Sequence, residues 1–405
     1  MRTRNNNRPI ILLVAEAVTL AHFARIAALA KALDPMQYQV VVASDPRYIG
    51  LEASHDYSFC PIRSIPSAKF SQALAQGKPL YDVETLTRYA EDDLALLDNV
   101  KPDLVIGDFR LSLSVSAPLR KIPYAAVVNA YWSPFADTIY PVPDLLMTRI
   151  LGVRLAQKLF DVVRPVAFAL HAKPLNRVRR HFGLLPLESD LRDIYSWGDY
   201  TLYADVPEVV PTRNLPAHHH YIGPVLWSTQ VPLPVWWHDL PRDKPVVFLT
   251  LGSSGPVDLL PTLLNVLSQF PVTVIVATAG KIELAAKPAN AYFSNYLPMD
   301  IATQRSQLLI CNGGSLATYQ ALACGVPVIG LCCNMDQLLN MSALERLGAG
   351  LMLRASEANY TSLMKAFTKM DSPAYTQAAK KMSQVLEKTD SLCRFRGIIR
   401  KILNC

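Results

Sequence analysis

The sequence predicts an α/β protein of two Rossmann-like, doubly wound parallel-sheet domains that face each other across a cleft. Three observations carry that expectation. Each half alternates short apolar runs with helical stretches and has no tight hairpin between strands, the pattern of a parallel sheet. The chain has 405 residues, 51% hydrophobic and 18% charged, which is enough for two cores and too apolar for disorder. Residues 206–245 are rich in Pro, Trp and His with little periodicity, and read as an inter-domain connection. The domains are expected at 1–225 and 226–405, with the C-terminal helix free to pack back on the first.

Taken in order, residues 9–15 (PIILLVA) read as a buried first strand. Phe23, Ile26, Ala27, Ala30 and Leu33 then fall at helical spacing, and QVVVAS is a second strand. PDLVIGD (102–108) and PYAAVVN (123–129) repeat the strand signal around the helix-like SLSVSAPLR. From Asp144 to His181 the pattern is a set of helical pieces with Arg and Lys on one side. Such a segment is compatible with weak peripheral contact with a membrane, although a solvated face of core helices is the plainer reading. DYTLYAD (199–205) returns to the sheet. His218, His219 and His220 are consecutive, so in a strand they point to opposite faces and chelate poorly; an edge strand or linker fits them better.

The second half starts with VVFLTL and the Gly252–Gly255 loop (GSSG). A helix follows, with Pro261 near its start, where proline is tolerated. VTVIVATAG, YFSNYLP, QLLICN, VPVIGL and GLMLR continue the alternation, and the tail from about residue 373 is helical.

A net charge of +7 is modest, and fits an anionic small ligand or loose attraction to acidic lipid. No basic block is interleaved with aromatics, so nucleic acid is not expected as a partner. Seven cysteines show no metal-like spacing, and Cys311, Cys324, Cys332 and Cys333 read as small buried hydrophobes in a reducing compartment. No metal site is expected. No apolar run reaches the roughly 18 residues of a spanning helix. The short apolar core after Arg2, Arg4 and Arg8 is interrupted at Glu16, so it reads as a strand and not as a signal segment. A cytoplasmic protein is expected.

The densest signal lies at residues 308–341. An apolar strand breaks into Asn312-Gly313-Gly314-Ser315, a helix runs to Cys324, and Gly325 stops it. A second apolar strand follows, and then Asn334, Asp336, Gln337 and Asn340. A Gly-Gly-Ser turn between strand and helix lets backbone N–H groups approach an anion at the helix N-terminus, and polar side chains beyond the next strand share the same rim. In the first half His22 sits in the first turn of the expected helix, where the helix dipole favours the neutral imidazole that a base requires. Asp108 ends the strand LVIGD on the same rim and can orient that ring. The plainer readings are a packed helix-start residue for His22 and a helix cap for Asp108.

With these residues the chain resembles the inverting B-fold nucleotide-sugar glycosyltransferases of family 1 and family 28 nearly end to end. That family carries His-Gly-Gly-x-Gly-Thr-x-x-Glu, then Gly-Val-Pro, then Asp-Gln-x-x-Asn. Here Asn312-Gly313-Gly314-Ser315-Leu316-Ala317-Thr318-Tyr319-Gln320, Gly325-Val326-Pro327 and Asp336-Gln337-Leu338-Leu339-Asn340 stand in those places. Ala21-His22 stands where the family often has Gly-His, and the Gly-Ser-Ser at 252–254 also matches. Three positions depart from the pattern: Asn312 replaces the phosphate-binding His, Ala317 the hydroxyl residue and Gln320 the ribose-binding Glu.

The resemblance implies His22 and Asp108 as the catalytic pair. It implies a donor site of Ser253, Leu297, Asn312, Gly313, Gly314, Ser315, Gln320, Asp336 and Gln337. Leu297 would lie by the base, the Gly-Gly-Ser amides by the pyrophosphate, and Asp336 with Gln337 by the sugar. It implies metal-independent transfer from a nucleotide-diphosphate sugar, with no further cofactor, to a hydroxyl of a small, partly apolar or lipid-like acceptor. No Asp-x-Asp follows a strand, and helix dipoles and N–H groups can take the place of a metal. The acceptor is expected around residues 63–93 and 130–180, where Tyr131, Trp132, Phe135 and Tyr140 can line an apolar pocket. Two alternatives share the fold: a nucleotide-sugar epimerase or hydrolase, and a non-catalytic nucleotide-binding relative. Neither half opens with Gly-x-Gly-x-x-Gly, which disfavours a dehydrogenase.

Overall fold

A computed structural model describes residues 8–52, 56–252, 255–280 and 287–404. The chain forms two compact units. The first comprises Met1–Asp137, Val162–Val225 and Asp390–Cys405, and the second Thr138–Asp161 and Leu226–Thr389. Residues 138–161, expected in the first domain, therefore cluster with the second.

In chain order the first part holds β1 (Ile10–Ala15), α1 (Leu20–Lys31), β2 (Gln39–Ser44), β3 (Ser58–Pro61), α2 (Ser67–Gln76) and α3 (Val83–Val100). It continues with β4 (Leu104–Asp108), α4 (Leu113–Arg120), β5 (Tyr124–Val128), α5 (Leu146–His181), α6 (Leu191–Ser196), β6 (Tyr200–Tyr203) and β7 (His219–Tyr221). The strands make one parallel sheet ordered β3-β2-β1-β4-β5-β6-β7. β1 explains why the sheet is covered on both faces. Ile11 and Leu13 pack with Ile26 and Leu29 of α1, while Leu12 and Val14 pack on the other side with Leu97 of α3 and Leu113 of α4.

The second part holds β8 (Val246–Thr250), α7 (Leu260–Leu267), β9 (Thr273–Ala277), β10 (Ala291–Ser294), α8 (Met299–Gln304), β11 (Leu308–Cys311) and α9 (Ser315–Ala323). β12 (Val328–Cys332), α10 (Met335–Arg346), β13 (Gly350–Arg354), α11 (Tyr360–Met370), α12 (Pro373–Glu387) and α13 (Ser391–Leu403) follow. Its parallel sheet is ordered β10-β9-β8-β11-β12-β13. Val247, Leu249 and Ile310 of this sheet pack against Leu263 and Leu264 of α7 and Leu363 of α11. α13 belongs to the first unit, where Phe395 and Ile399 are fully buried in the core around β1.

Both sheets put the reversal of strand order beside their first strands, the place where open α/β sheets bind ligands beyond the strands' carboxyl ends. Two features sharpen the sequence reading. His219 and His220 open the edge strand β7, parallel to β6. The segment 146–181 is helical throughout except at Gly152 (φ 72°, ψ 159°), which breaks the first turns from the rest.

A fully buried charge cluster ties β1 to β4. Glu16 follows β1, Arg110 lies two residues past β4, and Asp93 comes from α3. Arg110 Nη1 donates to Glu16 Oε2 at 2.8 Å and Nη2 to Asp93 Oδ1 at 3.0 Å. The guanidinium also lies 3.7 Å over the Tyr89 ring, and the Tyr89 hydroxyl donates to Glu16 Oε1 at 3.1 Å. One cation serves two buried carboxylates. Burial pushes both Glu16 and Asp93 up from the usual carboxylate range against Arg110's attraction. Burial acts on Arg110 in the opposite sense, but the two carboxylates outweigh it and hold the guanidinium protonated. Arg110→Met strips both acids of their counter-ion, and is expected to cost roughly 3–5 kcal/mol of stability. Chemical denaturation of the variant checks this, and an unchanged midpoint refutes it.

Candidate active site

At the first sheet's carboxyl rim, β1 and β4 are neighbours, and the Glu16 amide donates to the Asp108 carbonyl at 3.0 Å. β1 leads through a short loop into α1, whose third residue is His22. β4 delivers Asp108 as its last residue, 1% exposed. The two meet: His22 Nδ1 lies 2.7 Å from Asp108 Oδ1. A carboxylate can only accept, so Nδ1 carries the hydrogen, and in the neutral ring the lone pair is on Nε2. The helix-cap reading of Asp108 fails, since α4 begins after Ser112 without a side-chain cap.

Asp108 has a second partner that the sequence reading missed. Arg25, one turn along α1 on the face of His22, donates Nε to Asp108 Oδ2 at 2.7 Å and Nη2 to Oδ1 at 3.0 Å. Burial by itself would raise Asp108. The Arg25 and His22 contacts outweigh it and hold the carboxyl below its usual range, ionised at neutral pH. Arg25 Nη1 also donates to Asn129 Oδ1 at 2.6 Å, and Asn129 Nδ2 donates to Asp205 Oδ2 at 3.1 Å. Asp205 further accepts from the Ala130 amide at 2.6 Å. A buried polar chain thus runs along the rim from β4 past β5 to the end of β6.

His22 also has an apolar wall. Phe109 adopts a left-handed backbone (φ 59°), a conformation that costs a side-chain-bearing residue about 1–2 kcal/mol. This turn lays its ring on His22, centroids 5.0 Å apart and planes within 9°. Tyr195 packs edge-on against Phe109 at 5.1 Å, and Trp132 against Tyr195 at 5.1 Å. Of the aromatics expected at an acceptor pocket, Trp132 joins this run. Tyr131 is buried, Phe135 packs on His219, and Tyr140 belongs to the second unit.

In the second unit the donor-site candidates follow the carboxyl ends of β8, β10, β11 and β12. Gly313 needs both its freedoms. Its φ is +80°, and a Cβ there would stand 2.7 Å from Met341 Cγ and 2.9 Å from Cys332 Sγ. Asn340, buried in α10, staples the turn by donating Nδ2 to the Gly313 carbonyl and to Thr318 Oγ1, both at 2.8 Å. The Gly313 amide reaches Cys311 Sγ at 3.3 Å, and the Gly314 amide donates to Asn312 Oδ1 at 3.2 Å. Both amides therefore already have acceptors, unlike the expectation for this turn. Gly314 is the N-cap of α9 and brings no side-chain cap to the positive end of that helix's dipole. Asn312 packs against Gly252, where a Cβ would come 3.3 Å from its Nδ2.

The remaining candidates are mixed. Asn334 caps α10 by accepting from the Gln337 amide at 3.1 Å, which leaves Asp336 in the first turn at the positive end of the helix dipole. Gln337 is buried, and its Oε1 accepts from the Cys333 amide at 2.7 Å, which orients the side chain within the turn. Gln320 is buried two turns into α9, with Nε2 3.9 Å from Cys324 Sγ. Leu297 is buried and its carbonyl accepts from Thr229 Oγ1 at 3.0 Å. Ser253 lies outside the described residues. Among the described residues no group of three or more His, Cys, Asp or Glu is arranged to hold a metal ion, and no helix is long and apolar enough to cross a membrane.

Residues 261–389 match the family described as the erythromycin biosynthesis protein CIII-like C-terminal domain. The PGL/p-HBAD biosynthesis glycosyltransferase of Mycobacterium tuberculosis (strain ATCC 25177 / H37Ra) is 51% identical over 378 residues, covering 93% of this chain and 88% of that protein. The PGL/p-HBAD biosynthesis rhamnosyltransferase of Mycobacterium bovis (strain BCG / Pasteur 1173P2) is 51% identical over 374 residues, covering 92% and 83%. A protein of the same strain named as an inactive PGL/p-HBAD biosynthesis glycosyltransferase is 51% identical over 263 residues, covering 65% and 72%. Among solved structures, spinosyn forosaminyltransferase SpnP superposes with a TM-score of 0.70 at 19% identity, covering 98% of this chain and all of that one. Spinosyn rhamnosyltransferase SpnG complexed with thymidine diphosphate gives 0.66 at 17% identity, covering 96% and 99%. At these identities the solved structures speak for the fold.

Gly313→Ala is expected to lose at least about 1–3 kcal/mol, because the left-handed backbone and the contacts with Met341 and Cys332 both oppose a methyl group. A variant that melts at the wild-type temperature contradicts this account of the turn.

Proposed function

We infer the reaction from one premise: the chain belongs to the B-fold glycosyltransferases represented by the mycobacterial PGL/p-HBAD biosynthesis enzymes, and it is a glycosyltransferase. The proposed reaction is inverting, metal-independent transfer of a sugar from a nucleoside-diphosphate donor to a hydroxyl of a partly apolar or lipid-like acceptor. One observation carries the mechanism: the 2.7 Å bond between His22 Nδ1 and the buried Asp108, which leaves Nε2 as the basic atom.

In the step proposed, His22 Nε2 takes the acceptor's hydroxyl proton as that oxygen attacks the anomeric carbon. The bond from that carbon to the pyrophosphate oxygen breaks, the nucleoside diphosphate leaves, and a single displacement inverts the centre. Asp108, kept ionised by Arg25, steadies the imidazolium that forms. The departing charge would be met by the uncapped first turn of α9 and by Asn312, which supplies a dipole where a metal ion would otherwise be needed. Asp336 and the Gln337 NH2 group are proposed to hold the sugar hydroxyls.

The aromatic run from Phe109 to Trp132 beside His22 supports an acceptor with an apolar body, as do relatives named for PGL/p-HBAD biosynthesis. Thymidine diphosphate is the first nucleotide to try, since SpnG of the same fold is solved with it. The unpaired cysteines among the described residues suit a reducing, cytoplasmic setting. A second reading, nucleotide binding without turnover, draws on Asn312, Ala317 and Gln320 and on the relative named inactive.

His22→Ala is expected to lower transfer by about 10²–10⁴-fold with donor binding intact. The assay is run with a chelator, and the anomeric configuration of the product is read by NMR. Undiminished transfer by the variant rejects the base, retention of configuration rejects the single displacement, and wild-type dependence on added metal rejects the role given to α9. Asp336→Ala is expected to raise the KM for the donor sugar about tenfold while free nucleoside diphosphate binds as before. Equal loss of both affinities moves Asp336 away from the sugar.

A further inference from the structure

We propose that the outward face of α5 docks on a membrane surface that carries anionic lipids. After the break at Gly152 this helix has two apolar faces. The inner one, with Ala156, Phe160, Phe168, Ala172 and Leu175, is buried. The outer one carries Leu155, Leu159, Val162, Val166 and Leu170, spaced four, three, four and four residues apart, which is one stripe of a helix. Each is exposed, from 44% at Leu159 to 76% at Val162. A helix on a water-facing surface ordinarily puts polar side chains there, and a contiguous apolar stripe marks an interaction site.

The charges around the stripe choose the partner. Arg154 and Lys158 border it, and Lys173 and Arg177 continue the same face beyond Leu170, all four exposed. Asp161 is the only acidic residue between Leu146 and His181, and it accepts from Gln157 at 2.9 Å. A second copy of the chain would bring the same cations to the contact, whereas an anionic lipid surface complements them and admits the aliphatic side chains between the headgroups. The long Lys and Arg stems let their charges stay at headgroup level while the stripe sinks. No described helix is long and apolar enough to cross the bilayer, so α5 lies in the plane of the interface. The surface gives the proposed lipid-like acceptor a phase to be drawn from, but the inference rests on exposure and charge alone.

The test is flotation of the full chain with vesicles, without any donor sugar, so that a failure of the transferase reading leaves the result untouched. The vesicles are phosphatidylcholine alone or phosphatidylcholine mixed with phosphatidylglycerol. Wild type is expected to bind the mixed vesicles at least about tenfold more tightly than the neutral ones, and less tightly as salt rises. The combined variant Leu155→Gln, Leu159→Gln, Val162→Ser and Val166→Ser should lose about tenfold or more. Lys158→Gln with Lys173→Gln should lose the preference for the anionic vesicles, and serves if the first variant does not fold. No binding to the mixed vesicles, equal binding by the variants, or a wild-type dimer that the apolar variant disperses each overturns the proposal. Transfer to a water-soluble acceptor by the wild type, measured without vesicles, tests the proposed function separately.

Discussion

One carboxylate organises the first unit's rim. Asp108 ends the central strand β4, is almost wholly buried, and divides its oxygens between the imidazole of His22 and the guanidinium of Arg25. Buried charge of this kind survives only when every lone pair is used. Arg25 supplies the compensating charge, and Asn129 and Asp205 hold Arg25 in turn. His22 is therefore fixed in direction by groups that never need to meet a substrate. Phe109 adds a second constraint by spending backbone strain to close one face of the ring. Next along the chain Arg110 locks β4 to Glu16, so charge on both sides of Phe109 holds the strained turn in place.

In the proposed reaction the second unit would meet the leaving anion, and the turn it offers is built mostly from backbone. Gly313 has no side chain because none would fit, and Gly314 has none with which to cap α9. The turn's own amides are partly spent on Cys311 and Asn312, and its carbonyl on Asn340. In the proposed reaction the ligand would therefore meet the positive end of the α9 dipole more than the turn itself. Asn312 in place of an imidazole shapes the loop as much as it could bind, since its carbonyl oxygen already accepts from Gly314.

The alternation of apolar strand and periodic helix is plain in the sequence, because both are short-range patterns, and β1, α1, β4, β11, α9 and β12 all lie where that pattern puts them. His22 and Asp108 can be paired from the sequence because each sits at a strand's carboxyl rim. Arg25 carried a usable signal, three residues from His22 on one helix, but a lone arginine in an apolar helix says nothing about its partner. The cluster of Glu16, Asp93 and Arg110 carried none, since its members come from three separate elements and only the packing joins them. Gln337 looked available because side-chain orientation is not written in spacing. For α5 the periodicity reveals apolar residues but not which of two apolar stripes is covered, so a solvated basic face was the natural expectation.

The placement of α13 bears on how the protein is made. Phe395 and Ile399 fill the core around β1, yet they are synthesised after every residue of the second unit. A ribosome would have produced both sheets before the first core could be sealed, so the early half must wait, apolar and incomplete, for a plug that arrives late. Cutting the chain after Val225 would leave the N-terminal piece with a hole where two large side chains belong, and would take residues 138–161 away from the second unit.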